Sequence, residues 1–92
     1  MLVLPATLRH EEAPACMRIL HQGLAAQQQD SVAIVDATAL VRFDSSALAV
    51  LLECRRSCLL EGKRFAVHGM PARLAELARL YGVAALLPPA AA

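Results

Sequence analysis

Short apolar runs alternate along the chain with longer segments whose apolar residues recur every three or four positions. The runs at residues 2–5, 32–35 and 65–68 predict strands. The run at 32–35 is β-branched at three of its four positions, which is typical of a strand covered on both faces of a parallel sheet. Pro5 closes the first run, and because proline lacks the N–H that a ladder needs, this run is predicted to be an edge strand.

The longer segments have helical spacing. The first helix is predicted over residues 11–28, with Pro14 in its first turn, and the second over residues 44–61. The third begins at Pro71 and stops at Gly82. The stripe expected to face the core is Cys16, Ile19, Leu20, Leu24 and Gln27 in the first helix, and Leu74, Leu77, Ala78 and Tyr81 in the third.

Strands and helices thus alternate three times, and the connections between them are short. This order predicts an α/β fold with a small open sheet and right-handed crossovers. We expect one domain over residues 1–92 with an ordered core at about 2–88, and a short terminal strand or turn at residues 84–89.

Composition narrows the classes of function. The chain has 92 residues, of which 58% are hydrophobic, and its formal charge of +1 gives no general attraction for nucleic acid. No stretch approaches the length of a membrane span, so direct membrane insertion is not expected. The N-terminus lacks the basic region of a leader, and three cysteines without a CxxC motif indicate a reducing, cytoplasmic compartment.

Asp44 and two serines stand at the start of the second helix. Asp44 directly precedes the periodic segment, so its carboxylate is predicted to cap the helix by accepting the N–H of Ser46 or Ala47. It also complements the positive end of the helix dipole.

The second helix carries two stripes. The stripe expected to pack on the sheet is Ala47, Val50, Leu51, Cys54 and Cys58, and the second is Ser45, Leu48, Leu52, Arg56 and Leu59. Neighbouring helices can cover the leucines of the second stripe. The alternative is a partner-binding surface, with leucines at its centre and Ser45 and Arg56 at its rim.

No grouping of side chains indicates a reaction centre, so no catalytic residue, cofactor or metal is expected. The chain lacks the GxGxxG and Walker loops that bind phosphate, and its three histidines are scattered. Cys54 and Cys58 lie on the core face, where packing is their expected role. Lys63 and Arg64 are expected to be solvated in a loop.

The segment at residues 32–70 resembles the STAS domain pattern, in which an apolar strand ending in Asp precedes a "-[FM]-D-[ST]-[SG]-x-L-" turn, a helix and a further strand. The likeness is most specific at residues 43–48, FDSSAL, and extends over residues 2–88. The ending LARLYGVAALLP resembles that of the MlaB-type subunits. These are cytoplasmic STAS proteins bound to the ATPase of the Mla phospholipid-transport ABC complex of Gram-negative bacteria.

The resemblance implies a four- or five-stranded mixed sheet with helices mainly on one face. It implies a non-catalytic subunit that binds and stabilises an MlaF-like ATPase and lies at the inner membrane only through that partner. The resemblance places Ser45 at the interface with the ATPase. Together with the second stripe of the helix, the residues expected to bind the partner are Ser45, Ser46, Leu48, Ala49, Leu52 and Arg56. The alternative is an anti-sigma factor antagonist, in which Ser45 would be phosphorylated by a partner kinase.

The sequence departs from the family pattern in two places. Ala47 and Ala49 stand where antagonists often have glycine, which argues against the hypothesis that phosphorylation of Ser45 acts as a switch. Only one strand is predicted before the first helix, where the family usually has a hairpin. An edge left exposed in this way favours self-association of the chain.

Overall fold

The computed structural model of the protein describes residues 2–27 and 31–90. Its elements in chain order are β1 (Leu2–Val3), β2 (Thr7–Leu8), α1 (Ala13–Ala25), β3 (Val32–Asp36), β4 (Arg42–Phe43), α2 (Ser46–Leu60), β5 (Arg64–His68), α3 (Ala72–Leu80) and a 3₁₀ turn (Ala84–Leu86). The three predicted helices and the buried strands near residues 32 and 65 are confirmed. Residue 28, where the first helix was predicted to end, lies outside the described residues.

The strands form two small sheets. β1, β3 and β5 pair in that order, and β2 pairs with β4. Every strand pairing in the described part of the chain is parallel, so the expected mixed sheet is not found there. α1 and α2 pack against each other, α1 also contacts β1, and α2 also contacts β5. These two helices therefore lie on the same face of the three-stranded sheet.

The N-terminal segment differs from prediction because two strands, rather than one, precede α1. The chain does not reverse between them: Leu4 donates its N–H to the carbonyl of Asp36 at 2.9 Å, and Val41 donates to the carbonyl of Ala6 at 2.8 Å. The segment therefore continues forward beside the chain that follows β3. Because a hairpin needs a reversal, both short strands end up parallel to their partners.

The C-terminal residues cover the far edge of the sheet. Val67 donates its N–H to the carbonyl of Pro88, and Ala90 donates to the carbonyl of Val67, both at 2.9 Å. The predicted terminal strand or turn is thus a 3₁₀ turn followed by a parallel bridge between Val67 and Pro89.

The helices bury most, but not all, of the expected stripes. The buried residues of α1 and α3 are Cys16, Leu20, Leu24, Leu74 and Ala78. Ile19 and Tyr81 were expected to face the core, and this is wrong, because their exposed fractions are 65% and 59%. The core needs only a narrow stripe of each helix, so residues at the margin of the stripe remain in solvent.

Lys63 is buried, which contradicts the prediction that it is solvated. Its exposed fraction is 3%, whereas Arg64 beside it is exposed, as expected. The Lys63 ammonium donates to the carbonyl of Leu24, near the end of α1, and to Glu61 Oε1 at 3.1 Å. The Leu24 carbonyl also accepts the N–H of Gln27 at 3.1 Å, so the lysine is a second donor to it. The ammonium charge suits the negative end of the helix dipole.

None of the helices in residues 2–27 and 31–90 is both long and apolar enough to cross a membrane.

We predict that Lys63→Met lowers the free energy of unfolding by about 1–3 kcal/mol, because it removes a buried hydrogen bond from a charged donor to the Leu24 carbonyl. Arg64→Met is the matched control, since it removes a neighbouring exposed charge and should change stability by no more than about 0.5 kcal/mol. Urea denaturation followed by circular dichroism measures both. Equal effects of the two substitutions would contradict the role given to Lys63.

Candidate partner-binding surface

Hydrogen bonds at two neighbouring turns hold the connection from β3 to β4 in place. Asp36 Oδ1 accepts the N–H of Thr38 at 2.9 Å and its hydroxyl at 2.7 Å, and Ala37 donates its N–H to the carbonyl of His68 at 2.8 Å. Gly69 follows at a φ of +68°, and a Cβ there would lie 2.1 Å from Thr38 Cγ2. Only glycine fits so close to Thr38. This contact fixes the path of the connection that leads from β3 towards the start of α2.

Asp44 bonds to two separate parts of the backbone. Its Oδ1 accepts the N–H of Ser46 at 2.8 Å, the bond that a cap of α2 requires, and its Oδ2 accepts the N–H of His10 at 3.2 Å. The bond from Ser46 is the main reason that the pKa of Asp44 lies below its ordinary value. Desolvation opposes this lowering, and the His10 N–H adds a smaller lowering effect. The carboxylate therefore joins the start of α2 to the turn before α1.

Ser45 is exposed at the entrance of α2. Its backbone is already helical, with φ −62° and ψ −16°, and its carbonyl accepts the N–H groups of Leu48 and Ala49 at 3.1 and 3.2 Å. Ser46 is half-buried, and its N–H is occupied by Asp44. Of the two serines, Ser45 is the one that offers its side chain to the surface.

Leu48 is not part of an exposed surface. Its exposed fraction is 3%, and it belongs to the hydrophobic core, so the expectation that it supplies apolar area to a partner is wrong. It shares one buried cluster with residues of other elements, among them Leu8, Leu40 and Leu74. The guanidinium carbon of Arg73, in α3, stands 4.9 Å from the centre of the Phe43 ring. Leu52 is half-buried and packs against the core.

An outer stripe nevertheless runs along α2. At about 100° per residue its members fall within a sector about 100° wide. They are Ser45, Ala49, Leu52, Arg56, Leu59 and Leu60. Leu59 and Leu60 are 52% and 73% exposed, so the most exposed leucines of α2 lie at its C-terminal end. Leu60 was not predicted to belong to this stripe. Its position four residues after Arg56, which places it on the same side of the helix, was the feature of the sequence that could have identified it.

Arg56 is paired within its own helix. Its Nη1 lies 3.1 Å from Glu53 Oε1, and both side chains are largely in solvent. Exposed pairs of this kind contribute little to stability, so a partner's carboxylate can replace Glu53 at small cost.

Cys54 and Cys58 lie on the other side of α2, in the core, and Cys16 of α1 is buried as well. Cys16, Cys54 and Cys58 are free and buried, and burial is the main reason that the pKa of Cys54 rises to about 12. Cys54 is therefore a neutral thiol at physiological pH. No group of three or more His, Cys, Asp or Glu side chains in residues 2–27 and 31–90 is arranged to hold a metal ion. What the helix offers outward is a surface for contact.

We predict that Leu48→Ala lowers the free energy of unfolding by about 2–5 kcal/mol, as expected when a fully buried leucine leaves a cavity. The same truncation at exposed Leu60 should change stability by less than about 0.5 kcal/mol. Chemical denaturation of the two variants tests the assignment. A large loss at Leu60 with little at Leu48 would reverse it.

We also predict that Asp44 stabilises the fold in a pH-dependent way. Because its pKa in the folded state lies below the ordinary value of 3.8, its contribution to stability is present above that pH and is lost as the pH falls further. The stability difference between the wild type and Asp44→Asn should therefore be larger at neutral pH than in acid below the folded pKa. Urea denaturation at several pH values measures it, and a constant difference would refute the assignment.

The comparison with known proteins agrees with this architecture. A family model described as "Mlab, STAS domain" matches residues 1–88, which is nearly the whole chain. No curated protein matches the chain at a significant level. STAS domains are generally non-catalytic, and the small parallel sheet with α1 and α2 on one face is consistent with their fold. The chain therefore belongs to the STAS domain family, with the MlaB-type domain as the matching model.

Proposed function

We propose that the protein is a non-catalytic cytoplasmic subunit that binds and stabilises the MlaF-like ATPase of an Mla-type ABC phospholipid transporter. It would reach the inner membrane only through this partner. Membership of the MlaB-type family supports the setting. The observation that carries the proposal is the outer stripe of α2, which combines exposed leucines with a serine at the helix entrance.

The apolar part of the stripe supplies the association energy. Leu59 and Leu60 are more than half exposed, and Leu52 is half-buried beside them. Covering a leucine completely is worth at most roughly 1.5–3 kcal/mol, before the costs of association are subtracted. Leu48 contributes from beneath, since it anchors α2 to the core and so fixes the position of the stripe.

The polar residues of the stripe supply orientation. Ser45 offers a small hydroxyl at the start of α2, and Arg73 of α3 lies over the ring of Phe43, two residues before Ser45. Arg56 offers a guanidinium that can exchange its pairing with Glu53 for a carboxylate of the ATPase. A bulky charge at Ser45 would hold the partner away from the leucines.

The test is Ser45→Arg, with Ala85→Arg as the matched control, because Ala85 is an exposed small residue in the 3₁₀ turn. Both variants should keep the wild-type circular dichroism spectrum. We expect Ser45→Arg to weaken co-purification with the ATPase by about tenfold, or about 1.4 kcal/mol, because a long charged side chain prevents close contact at the start of α2. Ala85→Arg should leave co-purification unchanged. Undiminished co-purification of Ser45→Arg would rule the surface out.

One observation favours a second function, that of an anti-sigma factor antagonist switched by phosphorylation. Ser45 is exposed at the first turn of α2, where backbone N–H groups and the helix dipole favour an anion. The ionised Asp44 beside it opposes a further negative charge. A pull-down from native cells separates the two functions, since the antagonist would bring down a kinase that retards the protein in a phosphate-binding gel.

A further inference from the structure

A second apolar surface lies on the opposite side of α1 from α2. It is a groove of about 360 Å³ between the N-terminal segment and α1. Val3 on one wall is 58% exposed, and Ile19 on the other is 65% exposed. The other lining residues are Leu4, Pro5, Thr7, Glu12, Ala15 and Cys16. Exposed branched side chains on both walls of a groove indicate a surface that is covered in use.

The groove lies at the uncovered edge of the three-stranded sheet. β1 forms this edge, while residues 88–90 cover the edge at β5. Pro5, two residues after Val3, has no N–H to offer an added strand. Whatever fills the groove therefore binds mainly through side chains of α1, rather than by extending the sheet.

Exposed charges near the start of α1 are self-complementary about Ala15. Glu11 lies in the turn before α1, four residues before Ala15, and Arg18 lies within α1, three residues after it. In an antiparallel pair of α1 helices that cross at Ala15, the Glu11 of each would lie opposite the Arg18 of the other. Glu11 has only a loose contact of 3.8 Å with Arg9, and Arg18 has no ion pair among the described residues.

We propose that a second copy of this chain occupies the groove, in a two-fold dimer in which the α1 helices cross antiparallel at Ala15. The small methyl group of Ala15 permits a close approach at the axis. Each Ile19 then lies beside the groove of the other copy, which places the apolar walls together, and the two Glu11–Arg18 pairs close the flanks.

This dimer leaves the outer stripe of α2 free. His21 Nε2 lies 3.1 Å from Ser57 Oγ, so His21 marks the side of α1 that faces α2. Ile19 is about 160° away from His21 around the helix at 100° per residue. The proposal is therefore independent of the proposed function, and each can fail without the other.

The experiment measures the oligomeric state of the full chain by analytical ultracentrifugation from about 1 μM to about 1 mM, a range that captures weak association. The wild type should show a concentration-dependent dimer. Ile19→Glu should raise the dimer dissociation constant by about tenfold or more, because it places a charge among apolar walls. Leu60→Glu is the matched control, an exposed leucine on α2 whose replacement should leave the constant unchanged.

Charge reversal then tests the predicted register. Arg18→Glu and Glu11→Arg should each raise the dissociation constant by about fivefold, and the double variant should return it close to the wild-type value. Thermal unfolding of every variant checks that the fold is retained. A wild type that stays monomeric over the whole concentration range would overturn the proposal. The occupant of the groove would then be a different protein. A greater effect of Leu60→Glu than of Ile19→Glu, or a double variant weaker than either single one, would overturn it as well.

Discussion

The carboxylate of Asp44 connects the beginnings of two helices, and the exposed surface of α2 depends on that connection. One oxygen accepts from Ser46 at the start of α2, and the other accepts from His10 in the turn that leads to α1. Because the acid is ionised at neutral pH, both bonds are charge-assisted. They fix where α2 starts, and thus which of its residues face outward. Ser45 is exposed because Asp44, rather than Ser45 itself, accepts the N–H at the helix entrance.

Features set by local periodicity could be predicted from the sequence. The core face of α2 is buried as expected, with Ala47, Val50, Leu51, Cys54 and Cys58 each no more than 2% exposed. The strands near residues 32 and 65 were recognisable because a continuous apolar run implies cover on both faces. Both patterns involve residues only a few positions apart in the sequence. They can therefore be recognised without knowledge of the tertiary structure.

Features set by distant neighbours could not be predicted in this way. Leu48 is buried in a cluster that also contains residues far from it in the sequence, such as Leu8 and Leu74. Lys63 is buried because its hydrogen-bond acceptor, the carbonyl of Leu24, lies 39 residues earlier in the chain. The paired strands β2 and β4 have two residues each, too short for any period to show. Whether a residue at the margin of a helical stripe is buried depends on which other element packs over it. That is determined by the tertiary structure.

The interior position of Lys63 has a consequence for the chemistry of the whole surface. It is the chain's one lysine, so every basic side chain on the outside is an arginine or a histidine. Reagents that modify primary amines find no accessible side chain while the fold is intact, and the α-amino group is their only other target. Acylation of Lys63 would thus report opening of the interior, and amine-reactive cross-linkers would find no accessible lysine on the folded chain.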